Sequence, residues 1–234
     1  MPTRWSARPS TGGTEVPAAA RPSHGSACPP SIPGFQGIHR FWDPASERWT
    51  AKLLPGEFYV TRHDEAIATV LGSCISACIS DRRIGCGGMN HFMLPEDGGG
   101  GAGNGWTDPA TGLATRYGSH AMECLINELL KLGGKREHFE IKLFGGGRIL
   151  ASMTDVGARN AAFVRAYLKN EGLKVAAEDL GDIYPRRIIY FPDTGRVRVR
   201  RLQPLEATAI ADRERRYQGD LARQSGGGDV ELFG

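Results

Sequence analysis

Residues 68–95 read ATVLGSCISACISDRRIGCGGMNHFMLP, and the predicted fold is organised around this stretch. Residues 66–71 form an apolar, partly β-branched run, which predicts a buried strand. The pair Gly72-Ser73 breaks that strand. Residues 74–80 then alternate between Ile or Ala and Cys or Ser, which predicts a second strand directly after the break. The stretch therefore predicts two consecutive strands separated by a Gly-Ser break.

Further strands and helices are predicted on both sides. Residues 81–88 are expected to turn the chain before a third apolar strand at 89–94. Ser119 is expected to cap a helix that stops at Gly133-Gly134, and a second helix is predicted over 156–171. The remaining predicted strands are 57–61, 139–144, 174–180, 187–191 and 197–202, with a hairpin turn at 192–195. Helices interleaved with runs of strands predict a single α/β or α+β domain whose sheets are covered by helices.

Composition divides the chain into one domain and two tails. The chain has 234 residues, 40% of them hydrophobic, which suits one moderate domain with a real core. Residues 1–35 are rich in Pro, Ser, Gly and Ala and are predicted to be a disordered tail. The domain is predicted to span 36–204 with its core at 55–202, although 37–54 show no clear period. Residues 205–234 are predicted to be a charged tail that could form one helix before a glycine-rich end.

One segment inside the domain is glycine-rich, from residue 96 to residue 116, and contains the insert 97–112. A surface linker is the simplest interpretation, since such composition is flexible. A mobile flap is the alternative, because His91 precedes the segment by only a few residues.

The charge balance and the cysteines exclude several classes. A net charge of +3, from 29 basic and 26 acidic residues, does not indicate nucleic-acid binding. Apolar runs approaching the roughly 18 residues of a membrane span are absent from the sequence, as is the apolar core of a signal peptide. The five cysteines are odd in number, which argues against a closed disulfide framework. We expect a cytoplasmic protein that neither inserts into membranes nor binds nucleic acid.

Cys74 and His91 are candidate catalytic residues. A cysteine and a histidine can act as nucleophile and base if the fold brings them together, and a hydroxyl such as that of Thr69 could fix the histidine tautomer. Backbone N–H groups that could bind an oxyanion are offered by Gly72, Ser73 and Gly146, and by Cys74 itself. From the residues alone, however, Cys74 as a small buried side chain is the better-supported interpretation. His91 could equally be a core histidine, and Thr69 an ordinary strand residue.

A metal site and a phosphate site are the alternatives to cysteine catalysis. Cys74, Cys78, Cys86 and His91 lie within eighteen residues, as zinc ligands often do. On a strand, however, the sulfur atoms of Cys74 and Cys78 would start about 13 Å apart, too far for one tetrahedral ion. The glycine run 145–147 lacks the Lys-Ser/Thr that follows a phosphate-binding loop. We therefore expect no metal and no cofactor.

Several ordered motifs resemble the CheD family, the chemoreceptor glutamine deamidases of bacterial chemotaxis. Thr69-Val-Leu-Gly-Ser-Cys74 and Gly87-Gly-Met-Asn-His91-Phe-Met-Leu-Pro95 carry the resemblance. It continues through Arg116-Tyr-Gly, Lys142-Leu-Phe-Gly-Gly-Gly147, Val156-Gly-Ala-Arg-Asn160 and Glu178-Asp-Leu-Gly181. The matching stretch covers roughly residues 55–202, whereas the first 50 residues and the last 30 match nothing recognisable.

The resemblance implies a function and a fold. In that family the residue matching Cys74 is the nucleophile, the one matching His91 the base, and the one matching Thr69 the third member of the triad. The implied fold has β-sandwich-like mixed sheets flanked by two or three helices, similar to the catalytic domain of cytotoxic necrotising factor toxins. The implied reaction converts glutamines on the cytoplasmic helices of methyl-accepting chemotaxis receptors to glutamates through a thioester, releasing ammonia without a cofactor.

The resemblance also leaves two other functions open. Many family members bind a CheC-type phosphatase, so the chain could be mainly a regulatory partner of such a phosphatase. A general cysteine hydrolase or transglutaminase acting on another protein is the third hypothesis. Release of ammonia from receptor glutamines would distinguish the first function from the other two.

Overall fold

The computed structural model describes residues 27–95, 113–149 and 156–225. The strands are β1 (Arg40–Asp43), β2 (Arg48–Lys52), β3 (Phe58–Thr61), β4 (Glu65–Leu71), β5 (Ile75–Asp81), β6 (Cys86–Asn90), β7 (Glu140–Gly145), β8 (Val175–Leu180), β9 (Arg186–Phe191) and β10 (Arg196–Arg201). The helices are α1 (Leu113–Lys131), α2 (Val156–Asn170) and α3 (Pro204–Ser225). The described helices include no segment both long and apolar enough to cross a membrane.

The strands form two five-stranded mixed sheets. The first has the order β1-β2-β4-β9-β10, with β2 and β4 parallel and the other neighbours antiparallel. The second has the order β3-β6-β5-β7-β8, with β7 and β8 parallel. β4 is therefore the central strand of one sheet and β5 the central strand of the other. The chain crosses between them in only three residues, 72–74.

The two sheets share one apolar core. Its buried members include Ile67 and Leu71 from β4, Ile75 and Ile79 from β5, and Tyr190 from β9. Helix α1 packs on β3 and β6, and α2 packs on β5. β5 is buried along its whole length because a sheet lies on one side of it and a helix on the other. This layering explains why the side chains on both faces of the strand are buried, the polar Ser76 and Ser80 among them.

The predicted α+β class, with mixed sheets flanked by helices, is confirmed. For most predicted strands, the predicted and observed ends differ by at most one residue. The predicted hairpin between β9 and β10 is also present. The third apolar strand is wrong in its bounds, because β6 begins at Cys86 rather than Met89 and ends at Asn90. Glycine suits β6 because the neighbouring backbone is very close: a Cβ atom on Gly88 would lie 2.6 Å from the Tyr59 carbonyl oxygen.

The predicted start of α1 is also wrong. The helix begins at Leu113, so Ser119 lies inside it and does not cap it. Gly118 is tolerated within the helix because Phe163 of α2 packs directly on its bare backbone. The predicted linker or flap at 96–116 lies outside the described residues as far as residue 112, as do residues 1–26, whereas residues 113–116 belong to the first turn of α1.

Both predicted tails contain residues that pack on the domain. Phe35, at the end of the predicted N-terminal tail, is buried and makes edge-on contacts with the rings of Phe58 and Tyr59. Residues 205–225, assigned to the C-terminal tail, belong to α3, which carries a fully buried Glu214. Helix α3 thus packs on the domain, although the predicted boundary at residue 204 places it in the tail.

Candidate active site

Cys74 lies where the chain passes from one sheet to the other. It precedes β5, and its side chain is fully buried (0% exposed). The next residue, Ile75, exchanges two backbone hydrogen bonds with Phe92, at 2.8 and 2.9 Å. This bridge places His91, the neighbour of Phe92, beside Cys74. The sixteen residues between them in sequence form β5, β6 and the turn that joins these strands.

The backbone of His91 is held on its other side as well. Its N–H donates to the Glu57 carbonyl oxygen at 2.9 Å, and its own carbonyl accepts from the Gly56 N–H at 2.8 Å. The side chain is only 1% exposed. The imidazole is therefore fixed by strand-like hydrogen bonds to the segment before β3 rather than by a flexible loop.

Thr69 determines the histidine tautomer. Its hydroxyl lies 2.7 Å from His91 Nδ1 and 2.9 Å from the Leu53 carbonyl oxygen. A carbonyl can only accept, so the hydroxyl proton goes to Leu53, and the hydroxyl oxygen accepts from His91 Nδ1–H. His91 Nε2 then carries the basic lone pair. Within the described part of the chain this nitrogen is buried and has no hydrogen-bond partner.

Burial keeps both reactive groups neutral in this arrangement. Removal from water, with a smaller contribution from the positive charge of Arg213, lowers the pKa of His91 from 6.5 to about 3. Removal from water, followed by the negative charge of Glu214, raises the pKa of the Cys74 thiol well above its usual value. A neutral imidazole thus faces a neutral thiol, ready for proton transfer once the site becomes polar or solvated.

The glycine run after β7 supports the loop that carries Cys74. A Cβ atom on Gly145, whose φ is +112°, would lie 2.0 Å from the Cys74 carbonyl oxygen. The N–H of Gly146 donates to that oxygen at 2.8 Å, and the N–H of Gly147 donates to the Gly72 carbonyl at 2.8 Å. Bare backbone is therefore required here for close packing.

These contacts correct one predicted role. Gly146 was expected to offer its N–H to an oxyanion, but this N–H is already bonded to the Cys74 carbonyl. The N–H groups of two further candidates, Gly72 and Ser73, point to a common position beside Cys74. Both donate to the side chain of Glu214.

Glu214 is a site residue that the sequence analysis missed. One of its oxygens accepts from the Gly72 N–H at 2.7 Å and, more weakly, from the Cys74 N–H at 3.4 Å. The other accepts from the N–H and hydroxyl groups of Ser73, at 2.8 and 2.7 Å. The carboxylate thus occupies the position where backbone N–H groups would stabilise an oxyanion. No local motif marks this glutamate, which lies 140 residues after Cys74.

Asn160 of α2 links the two reactive segments. Its side chain donates to the Ser73 carbonyl at 2.9 Å and accepts from the Leu94 N–H at 3.1 Å. It is completely buried. The amide therefore ties the loop before Cys74 to the segment after His91, a role its place in the motif at 156–160 did not indicate.

A metal ion is the other chemistry that these side chains could support. Cys74, His91 and Glu214 each offer one donor atom, and these atoms lie within 4.8 Å of one another. Thiolate, imidazole and carboxylate would suit Zn²⁺. Both carboxylate oxygens, however, already accept two hydrogen bonds each. Cys78 and Cys86, weighed with them in the sequence, are not members of this cluster.

The chain is similar to known proteins over most of its length. The family model described as CheD chemotactic sensory transduction matches residues 93–201. Among the relatives, a protein of Halorhodospira halophila named "Probable chemoreceptor glutamine deamidase CheD" is 51% identical over 211 residues, covering 90% of this chain and 97% of its own. Proteins with the same name from Hahella chejuensis and Hydrogenovibrio crunogenus are 48% and 51% identical, covering 88% and 82% of this chain. With about half of its residues identical across nearly the full length of these relatives, the chain belongs to the CheD family.

Proposed function

We propose that this protein deamidates glutamine side chains of methyl-accepting chemotaxis receptors, with Cys74 as nucleophile, His91 as base and Thr69 as the residue that orients the base. One observation carries the proposal: the hydrogen bonds of Thr69 leave the basic nitrogen of a buried imidazole unpaired beside a cysteine. The names of the relatives supply the substrate class.

Acylation begins with proton transfer from the Cys74 thiol to His91 Nε2. The sulfur then attacks the carboxamide carbon and forms the S–C bond, while the carbonyl oxygen becomes an oxyanion held by the N–H groups of Gly72, Ser73 and Cys74. Thr69 accepts from Nδ1–H throughout and stabilises the imidazolium. His91 returns its proton to the departing nitrogen as the C–N bond breaks, so ammonia leaves and a thioester remains.

Hydrolysis of the thioester completes the reaction. His91 Nε2 takes a proton from water, whose oxygen attacks the thioester carbon. The S–C bond then breaks, and the thiol recovers its proton from His91. The net change is one carboxamide and one water converted to one carboxylate and one ammonium. None of these steps requires a cofactor.

The product changes the substrate electrostatically. Each glutamate adds one negative charge to a helical surface, where neighbouring like charges repel. In a two-state receptor such a charge can shift the balance between signalling conformations. On this proposal the protein acts in the cytoplasm, where the receptor's helical domain lies.

A regulatory role is the second candidate function. The thiol is fully buried in this structure, so catalysis needs an opening step that a role limited to binding a partner, such as a CheC-type phosphatase, does not need. Tight phosphatase binding without ammonia release would favour that role.

Intact-mass spectrometry of a receptor cytoplasmic fragment tests the proposal. Incubation with the wild-type protein is expected to add about 1 Da per modified glutamine, the difference between an amide and an acid. C74A is expected to add nothing. C78A is the matched control, because Cys78 is a buried cysteine of β5 outside the site. A wild-type protein that leaves the mass unchanged, or a C74A variant as active as C78A, would refute the mechanism.

A further inference from the structure

Helix α3 covers the candidate site and fills it with its own side chain. Glu214 is 0% exposed, and its carboxylate accepts hydrogen bonds from the loop formed by Gly72, Ser73 and Cys74. Arg213 donates to the Val70 carbonyl at 3.3 Å, and Tyr217 is hydrogen-bonded to Tyr117 of α1. In the part of the chain that the structure describes, the Cys74 side chain is 0% exposed, so a substrate can reach it only if a covering element such as α3 moves.

The buried carboxylate has the chemistry of the reaction product. Deamidation of glutamine yields a glutamate whose two oxygens lie beside the nucleophile. In this structure a glutamate side chain lies there already, with one oxygen on the N–H of Gly72 and the other on the N–H of Ser73. Hydrogen bonds of this kind to a charged acceptor are stronger than neutral ones. They hold the side chain as a tetrahedral intermediate or product would be held.

The helix around Glu214 is amphipathic, as the helices of coiled coils are. Ala207, Ile210, Ala211 and Glu214 are buried at three- and four-residue spacings, and the next buried position, Leu221, follows two turns later on the same face. Asp212 and Arg215, on the opposite face, are exposed and paired with each other. We call the surface under α3, formed by Val70, Ile149, Leu202 and the Gly72-Ser73 turn, the groove. It holds an amphipathic helix that carries one glutamate side chain near its centre.

The contacts of α3 are suited to release. Its apolar residues Ile210 and Ala211 pack with Ile149, Leu202 and the partly buried Val70 in a small cluster separate from the main core, and its partly buried Tyr217 packs against the main core. A segment with few buried apolar contacts opens at a lower free-energy cost than the core does. The helix can therefore leave the groove while both sheets stay folded.

We propose that the groove beneath α3 is the docking site for the substrate helix, and that α3 occupies it in the resting protein as an internal pseudo-product. The inference rests on the proposed function, because it names the receptor helix as the competitor. A receptor helix would lie where α3 lies and place its glutamine in the position of Glu214. Displacement of α3 would also let water reach His91 and Cys74, so substrate binding and activation would be a single event.

The isosteric E214Q variant tests the groove without any receptor. If α3 lies as a product helix would, Cys74 attacks the new carboxamide, releases ammonia, and hydrolysis restores the wild-type glutamate. The intact mass is then expected to rise by about 1 Da over time, or first to fall by about 17 Da if the thioester accumulates. The double variant C74A/E214Q is the control and is expected to keep its mass. An unchanged E214Q mass, in a preparation whose wild-type form deamidates receptor fragments, would overturn the pseudo-product.

Alkylation by iodoacetamide tests, independently of catalysis, whether α3 closes the site over Cys74. Peptide mapping shows how much of the label is on Cys74. E214A removes the carboxylate and is expected to increase the rate of labelling at least tenfold over wild type, and also the rate of receptor deamidation at low receptor concentration. D212A is the matched control, since it removes an acidic side chain from the exposed face of the same helix. Equal labelling of wild type, E214A and D212A would overturn the closure. Faster labelling of E214A without receptor deamidation by any form would leave the closure standing and refute the proposed function.

Discussion

Replacing Thr69 by valine isolates the hydroxyl that orients His91. Valine keeps the size and β-branching of threonine on strand β4, so packing in the core is preserved. It removes the acceptor of His91 Nδ1–H, 2.7 Å away, and the donor to the Leu53 carbonyl, 2.9 Å away. Both partners are buried, and neither is replaced by water without a rearrangement. T69S retains the hydroxyl and is the matched control.

The structure gives the scale of both effects. Leaving a buried donor or acceptor unsatisfied costs about 1–3 kcal/mol, so two such groups, partly offset by a more apolar side chain, predict a loss of about 2–4 kcal/mol in the free energy of unfolding. The tautomer with its proton on Nε2 is also no longer disfavoured, and the histidine then presents a proton instead of a lone pair. We expect a fall in the rate of deamidation on the order of 10²-fold, the scale of general acid–base catalysis.

Urea denaturation and initial rates of ammonia release from a receptor fragment measure the two effects. The rates are measured without urea, at a temperature at which T69V is folded. T69S is expected to keep the stability and most of the rate. If the rate of T69V lies within about twofold of the T69S rate, Thr69 does not orient His91 for catalysis, because an orienting role predicts a much larger difference.

Two further predictions concern acid stability and the glycine run. The pKa of His91 is lower in the folded than in the unfolded state, so between about pH 6.5 and pH 3 the histidine binds a proton only in the unfolded chain. The free energy of unfolding therefore falls as the pH drops through that window, by about 2 kcal/mol at pH 5. Urea titrations at pH 7.5 and 5 are expected to show this loss in the wild type but not in H91Q, and equal losses would contradict it. G145A is expected to cost on the order of 3 kcal/mol or more, because its Cβ atom would overlap the Cys74 carbonyl at positive φ. G172A, which has positive φ but open space around it, is expected to cost only about 1 kcal/mol, and similar melting temperatures for the two would argue against the close contact.

Local patterns predicted most of the fold, and the misassigned boundaries share a physical cause. Alternation marked β5, and an apolar run marked β4, because both strands are central and buried. The start of β6 and the first turn of α1 were missed because each element contains glycines, which read as breaks in sequence. In the structure those glycines let Tyr59 and Phe163 pack against bare backbone. Whether a glycine ends an element or admits a neighbour depends on tertiary contacts that local sequence does not contain.

The same limit separates the predicted from the missed site residues. Thr69, Cys74 and His91 lie in one continuous stretch, and the structure brings them together at the crossing between the two sheets. Glu214 comes from a segment that was read as a charged tail. The spacing of Ala207, Ile210 and Ala211 before it could have indicated an amphipathic helix, but not which surface that helix covers. A buried carboxylate is recognisable only when its N–H donors are known.

The complete burial of Cys74 has a consequence for oxidative damage. Peroxides attack the thiolate and need access to it, and in the resting protein the thiol is protonated and sealed under α3. Cys28 and Cys124 are partly exposed by comparison. The Cys74 thiol is therefore open to sulfenic acid formation only when α3 has moved away from it. Oxidation of Cys74 would thus depend on how often α3 opens, and a protein that stays closed would keep this thiol reduced during exposure to peroxide.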